Sequence, residues 1–189
     1  MSFLPKDYKV PTQSNYMKFE TGENIFRILT NPILGWEWWE ESQDETGKQI
    51  RIPKRVKEED SVPMEAVDAD GQGVKHFWAM VVWNYQDKRI QILELTQKGI
   101  QKSITGLNQS KGWGDPKGYD ISVTKTGELL KTKYSVMPIP PKPLEKDILK
   151  RFEETPVDVE ALFKGGDPFK GITEGQKGSE DVDPKDIPF

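Results

Sequence analysis

The chain has 189 residues, enough for one domain with appendages, and a hydrophobic share of 34% leaves part of that length to loop and tail. It has no cysteine and one histidine, His76, which excludes disulfides and every common zinc centre. The net charge is −4, but from 171 to 189 five acids (Glu174, Glu180, Asp181, Asp183, Asp186) face two lysines (Lys177, Lys185), so the rest of the chain is near −1. A near-neutral body with a basic face is compatible with a polyanionic partner, because local patches set that interaction. The first residues, Met1-Ser2-Phe3-Leu4-Pro5, lack a signal-peptide pattern, and no apolar run approaches ~20 residues. A soluble cytoplasmic protein is expected.

Residues 1–22 are polar, carry Pro5 and Pro11, and read as an irregular arm. Residues 23–34 hold Ile25, Phe26, Ile28, Leu29, Ile33 and Leu34, a strand buried on both sides. Pro32 and Gly35 mark a bend in it. Arg27 is the one charge inside this apolar run. It reads as a ligand contact, with a structural ion pair as the alternative, because an unpaired buried cation is costly. Trp36 and Trp38 follow on one face of the strand and Trp39 on the other.

Residues 40–74 read as a long excursion with segregated charge. Four acids occupy 40–45; Lys48, Arg51, Lys54, Arg55 and Lys57 follow without an acid; 58–70 is acidic again. Its basic middle, with Ile50 and Ile52, is a candidate short hairpin arm. Asp68-Ala69-Asp70-Gly71-Gln72-Gly73 begins like a calcium loop, but its twelfth position is Ala79, where the loop requires glutamate.

Residues 75–85 are aromatic and β-branched, a strong strand signal. A turn at Gln86, Asp87 and Lys88 leads into a second strand over 89–95, an antiparallel hairpin. The period then changes: Ile100, Ile104 and Leu107 share a helix face, with Thr96 as the expected cap. Lys98 and Lys102 share another face. Trp113 sits between Gly112 and Gly114 in a loop, where a core gives it little. Strands over 119–124 and 132–137 are joined by a connection over 125–131. Pro138, Pro140, Pro141 and Pro143 end the sheet. Leu144, Ile148, Leu149 and Phe152 predict a helix over 144–154, and 158–163 a short turn. Beyond Gly165-Gly166 glycine and charge predict disorder.

The order is strand, long loop, hairpin, helix, hairpin. That is a mainly β chain with the order of the OB-fold, a five-stranded Greek-key barrel with a helix between strands 3 and 4. An extra C-terminal helix and a disordered acidic tail complete it. The expected divisions are an arm (1–22), a barrel (23–142, with the loop 40–74), a helical segment (143–163) and a tail (164–189). OB barrels characteristically take oligonucleotides across strands 2 and 3, with two loops closing over them.

Here those strands are 75–85 and 89–95, and the closing loops are the basic segment 48–57 and the connection 125–131. The candidate DNA contacts are therefore Arg27, Trp36 and Trp38 on the first strand, and Lys48, Arg51, Lys54 and Arg55 in the basic segment. Lys75, Phe77, Trp78, Trp83, Tyr85 and Arg89 join them on the hairpin, with Lys102, Trp113, Lys125 and Lys131 beyond it. Period alone does not say which rings of 75–85 point into the barrel, and about half are expected to be core.

Two resemblances bear on function. Glu-Asn-Ile-Phe-Arg-Ile-Leu at 23–29, Phe-Trp-x-x-Val-Val-Trp-Asn-Tyr at 77–85, Ile-Leu-Glu-Leu-Thr-Gln-Lys-Gly-Ile at 92–100 and Tyr-Asp-Ile-Ser-Val-Thr-Lys-Thr-Gly at 119–127 resemble bacteriophage single-stranded DNA-binding proteins. Some of those carry a structural zinc, which this chain lacks the ligands to hold. Asp186-Ile187-Pro188-Phe189, behind an acidic stretch that includes Asp183, is similar to the terminus of bacterial single-stranded DNA-binding proteins. There the tip is a port for replication and repair enzymes.

Together they imply a sequence-independent coat for single-stranded DNA in viral replication, recombination or repair. Partner proteins such as a polymerase, helicase or nuclease would dock on the tip, and the acidic tail would compete with DNA for the basic groove. No cofactor and no enzymatic activity are expected: there is no cysteine nucleophile, no phosphate loop and no Gly-x-Ser-x-Gly elbow. The alternatives are a protein-interaction adaptor or inhibitor that uses the aromatic face, or RNA binding. Whether the chain acts as monomer or dimer stays open.

Overall fold

A computed structural model describes residues 14–66 and 73–170. They divide into two compact units, one of 14–32 with 78–145 and one of 33–66 and 73–77 with 146–170. The described residues are mainly β, with eight strands in a mixed sheet. Among the described residues no helix is long and apolar enough to cross a membrane.

The first unit contains β1 (Tyr16–Met17), β2 (Gly22–Ile28), most of β5 (Lys75–Asn84), β6 (Arg89–Leu95), α1 (Lys98–Gln109), β7 (Asp120–Thr126) and β8 (Lys133–Pro138). The strand order is β1-β6-β5-β2-β7-β8. Its last five strands, with α1 between β6 and β7, follow the expected OB order. Among the described residues, however, the sheet is open and does not close into a barrel. The arm is corrected at its end: Tyr16 and Met17 pair in parallel with Ile92 and Leu93. The ladders of β2 with β5 and β7, of β5 with β6 and of β7 with β8 are antiparallel.

Register explains the core. Phe26 lies opposite both Asn84 and Ile121, and Ile28 opposite Val82. Phe26, Ile28, Met80, Val82, Leu93, Leu95, Ile121 and Val123 thus share one face, which Ile100 and Ile104 of α1 join. A buried amide ties β2 to β7, with Asn24 Nδ2 donating to Val123 O at 3.0 Å. Asn84 closes the β5–β6 turn by accepting the amides of Gln86 and Asp87, and Lys88 there takes φ 52°. The residue that caps α1 is Gln97, not Thr96, and it makes no side-chain capping bond.

The second unit contains β3 (Ile33–Gln43) and β4 (Gln49–Lys57), paired from Gly35↔Lys57 to Gln43↔Gln49. The expected long loop with a short arm is therefore a hairpin nine residue pairs long. Its first strand begins in the segment assigned to the preceding strand, which ends at Ile28; Leu29, Thr30, Asn31 and Pro32 separate the two. Gly35 is required, since a Cβ there would lie 2.3 Å from Val56 O and 2.8 Å from the Phe77 and Phe163 rings.

Helix α2 (Lys146–Glu154) and a 3-10 segment (Val159–Lys164) match the expected C-terminal elements. Disorder beyond Gly166 is corrected as far as Lys170: Phe169 is buried and Asp158 N donates to Pro168 O at 2.9 Å.

Candidate nucleic-acid interface

Several expected contacts are structural. Arg27 is 2% exposed, and its Nε donates to Asp120 Oδ1 at 2.7 Å. Its Nη atoms donate to the carbonyls of Lys117 and Lys142 at 3.4 and 3.0 Å. The ion-pair alternative is the one observed, because β2 and β7 place Arg27 directly opposite Asp120.

Asp120 also accepts the Tyr85 hydroxyl at 3.0 Å and faces Lys142 Nζ at 3.2 Å. Burial, then the neighbouring Asp120 charge, push the Tyr85 hydroxyl up to about 12, since both oppose a phenolate. Lys142 also lies over the Tyr85 ring at 5.4 Å. Beside this cluster is an open hollow of ≈ 440 Å³ lined by Arg27, Lys117, Gly118, Pro141, Lys142, Pro143 and Leu144.

The expected aromatic face of β5 and β6 is not open. Phe77 and Trp83 are buried, at 0% and 6% exposure. Trp78 packs against the core. Trp113 does the same, edge-on to Tyr119 at 5.3 Å, so its loop does give it a packing role. Phe77 and Trp83 meet no base without rearrangement, and Trp78 and Trp113 keep only part of their surface open. Arg89 donates to Asn15 Oδ1 at 3.4 Å. Lys102 is exposed on α1 and Lys75 at the start of β5.

On the β3–β4 hairpin, Trp38 is buried and its Nε1 donates to Glu40 Oε1 at 2.9 Å. Trp36 is half-buried, edge-on to His76 at 5.0 Å. Arg55 is half-buried, its Nε donates to Glu37 Oε2 at 2.8 Å, and it lies over the Phe77 ring at 5.6 Å. What remains open is Trp39, 49% exposed, opposite Pro53 and on the hairpin face that carries Arg51. Lys48, Arg51 and Lys54 are exposed. Trp39 is the ring that sequence reasoning left out. Alternation placed it on the face opposite Trp36 and Trp38, and nothing in the sequence marked that face as the open one.

The β7–β8 connection gives a similar association. Lys131 is exposed, and Lys125 donates to Phe19 O at 3.3 Å. Between them Leu129 and Leu130 stand 92% and 104% exposed. Each forgoes the ~1.5–3 kcal/mol that a buried leucine contributes. Lys133 and Met137 continue the exposed side of β8. Two leucines in a three-residue 3-10 turn between antiparallel strands have no core to reach, and that signal was available in the sequence.

Asp183, Asp186, Ile187, Pro188 and Phe189 lie outside the described residues. No protein-family model, curated protein or solved structure matches the chain.

Proposed function

We propose that the protein binds single-stranded DNA without regard to sequence, as a coat in DNA replication, recombination or repair. One repeated observation carries this reading. Two antiparallel hairpins, β3–β4 and β7–β8, each leave a large apolar side chain exposed with lysine or arginine in the same hairpin. On the first, Trp39 shares its face with Arg51, which stands across from Glu41, and Lys48 and Lys54 are exposed elsewhere on the hairpin; on the second, Leu129 and Leu130 accompany Lys125, Lys131 and Lys133.

Cations bind phosphates by releasing condensed counterions, whatever the base sequence. An exposed ring stacks on any base for ~1–3 kcal/mol, so Trp39 adds affinity without readout. The OB strand order in the first unit supports the same ligand class. Recruitment of replication or repair enzymes by the Asp186-Ile187-Pro188-Phe189 tip belongs to this proposal and rests on its resemblance to bacterial tips.

The test is fluorescence anisotropy of labelled mixed-sequence oligonucleotides, single-stranded and duplex, across a salt series. The expected result is preference for single strands, with log K falling by about 0.7 per neutralised phosphate for each unit of log salt. Duplex preference, or no binding at low salt, contradicts the proposal.

A further inference from the structure

The β7–β8 turn has a feature that phosphate binding does not require. Its backbone is specified tightly. Gly127 takes φ 74°, and a Cβ there would lie 2.2 Å from Lys131 O. Lys131 N donates to Glu128 O at 3.0 Å and Thr132 N to Leu129 O at 3.2 Å. Leu129 itself takes φ 50°, a left-handed conformation that a branched side chain disfavours. Strain of this kind persists where the surroundings over-determine it, and it clusters at binding sites. The product is a firm turn that holds two leucines in solvent. A turn that only positioned lysines would fold equally well with polar residues at 129 and 130.

The surroundings select the occupant. Lys125, Lys131 and Lys133 flank the leucines, against Glu128 alone. The complementary partner is therefore anionic with apolar surface between its charges. A single strand has that alternation of phosphate and base, and the connection between the last two strands is one that closes over oligonucleotides in the OB order.

We propose that this turn is a base-unstacking wedge: Leu129 and Leu130 insert between neighbouring bases of a bound single strand while the flanking lysines hold its phosphates. Leucine has no π-face to stack, so its contribution is burial against the separated bases, as apolar wedges achieve in bent duplexes. The inference rests on the single-strand reading above and adds the mode of contact at one loop.

The experiment uses the full chain, an adenine-rich oligonucleotide containing 2-aminopurine, and the double variant Leu129→Ala/Leu130→Ala. Both leucines are exposed, so the variant keeps the fold, and circular dichroism checks this. Wild type is expected to raise 2-aminopurine emission as the base unstacks. The variant is expected to bind roughly a hundredfold more weakly, from two lost burials, and to give no rise at saturation.

Equal affinity and an equal rise in the variant overturn the wedge and leave single-strand binding standing. Unchanged DNA binding with loss of association to anionic vesicles, or with loss of a dimer in sedimentation, also overturns it and assigns the turn to a lipid surface or a second copy. Absence of oligonucleotide binding by wild type removes both the wedge and the functional reading beneath it.

Discussion

Replacing Asp120 by Asn tests whether Arg27 is a structural residue. The Arg27 and Asp120 side chains are 2% and 3% exposed, so water does not compensate a lost charge. Asp120 is the carboxylate that balances the Arg27 guanidinium; the two other Arg27 bonds go to neutral carbonyls of Lys117 and Lys142. Lys142 Nζ lies 3.2 Å from the second Asp120 oxygen, so neutralising Asp120 leaves two cations without their shared anion.

Removing one partner of a buried pair costs about 3–5 kcal/mol, and Asp120→Asn is expected in that range. Arg27→Met should cost less, because Lys142 and the Tyr85 hydroxyl still serve Asp120. Urea unfolding followed by circular dichroism gives both numbers. A loss under about 1 kcal/mol for Asp120→Asn, or the reverse order of the two variants, refutes the reasoning, since surface substitutions stay within about 0.5 kcal/mol. Arg27→Met should also keep its affinity for single-stranded DNA below its unfolding transition. A selective loss of affinity there makes Arg27 a ligand contact.

Other outcomes follow from the same geometry. Trp83→Ala should cost about 3–5 kcal/mol of stability, as a buried ring does, while Trp39→Ala, at a ring 49% exposed, should cost only about 1–2 kcal/mol and weaken single-strand binding by the ~1–3 kcal/mol of a lost stack; thermal melts and binding titrations separate the two. Tyr85, raised from 10.0 to about 12, stabilises the fold in its neutral form. That contribution is complete below pH 10 and is lost as pH rises toward 12. Burial and the Asp115 charge raise the Tyr119 hydroxyl as well, so an alkaline absorbance titration should show late phenolates whose amplitude falls by one tyrosine in Tyr85→Phe. Gly127→Ala places a Cβ 2.2 Å from Lys131 O at φ 74° and should cost at least ~1–3 kcal/mol, with faster proteolytic cleavage near residue 130.

The legible parts of the fold were those where period and hydrophobicity agree. The β5–β6 hairpin, α1, and the β7–β8 pair stand close to their expected bounds because each has a local signal. The β3–β4 hairpin was hidden by its charge. A block of acids followed by a block of bases reads as a solvated loop. Paired antiparallel, Glu37 meets Arg55 and Glu41 meets Arg51, so the segregation is the signature of a cross-strand ladder.

The site was less legible because exposure depends on long-range register. Arg27 finds Asp120 93 positions away, and no local pattern announces that partner. The rings divide for the same reason. Alternation says that Trp38 and Trp39 face opposite ways, but only the assembled structure buries Trp38 and leaves Trp39 open.

Trp39, 49% exposed, is the ring proposed to meet single-stranded DNA. Tryptophan emission should be followed during titration with a mixed-sequence single strand, for wild type and for Trp39→Phe, which keeps a stacking ring and removes the emitter. The expected result is strong quenching in wild type and its near-complete loss in Trp39→Phe, while anisotropy shows the DNA still bound. Undiminished quenching in Trp39→Phe, or no DNA binding by wild type at low salt, contradicts the account.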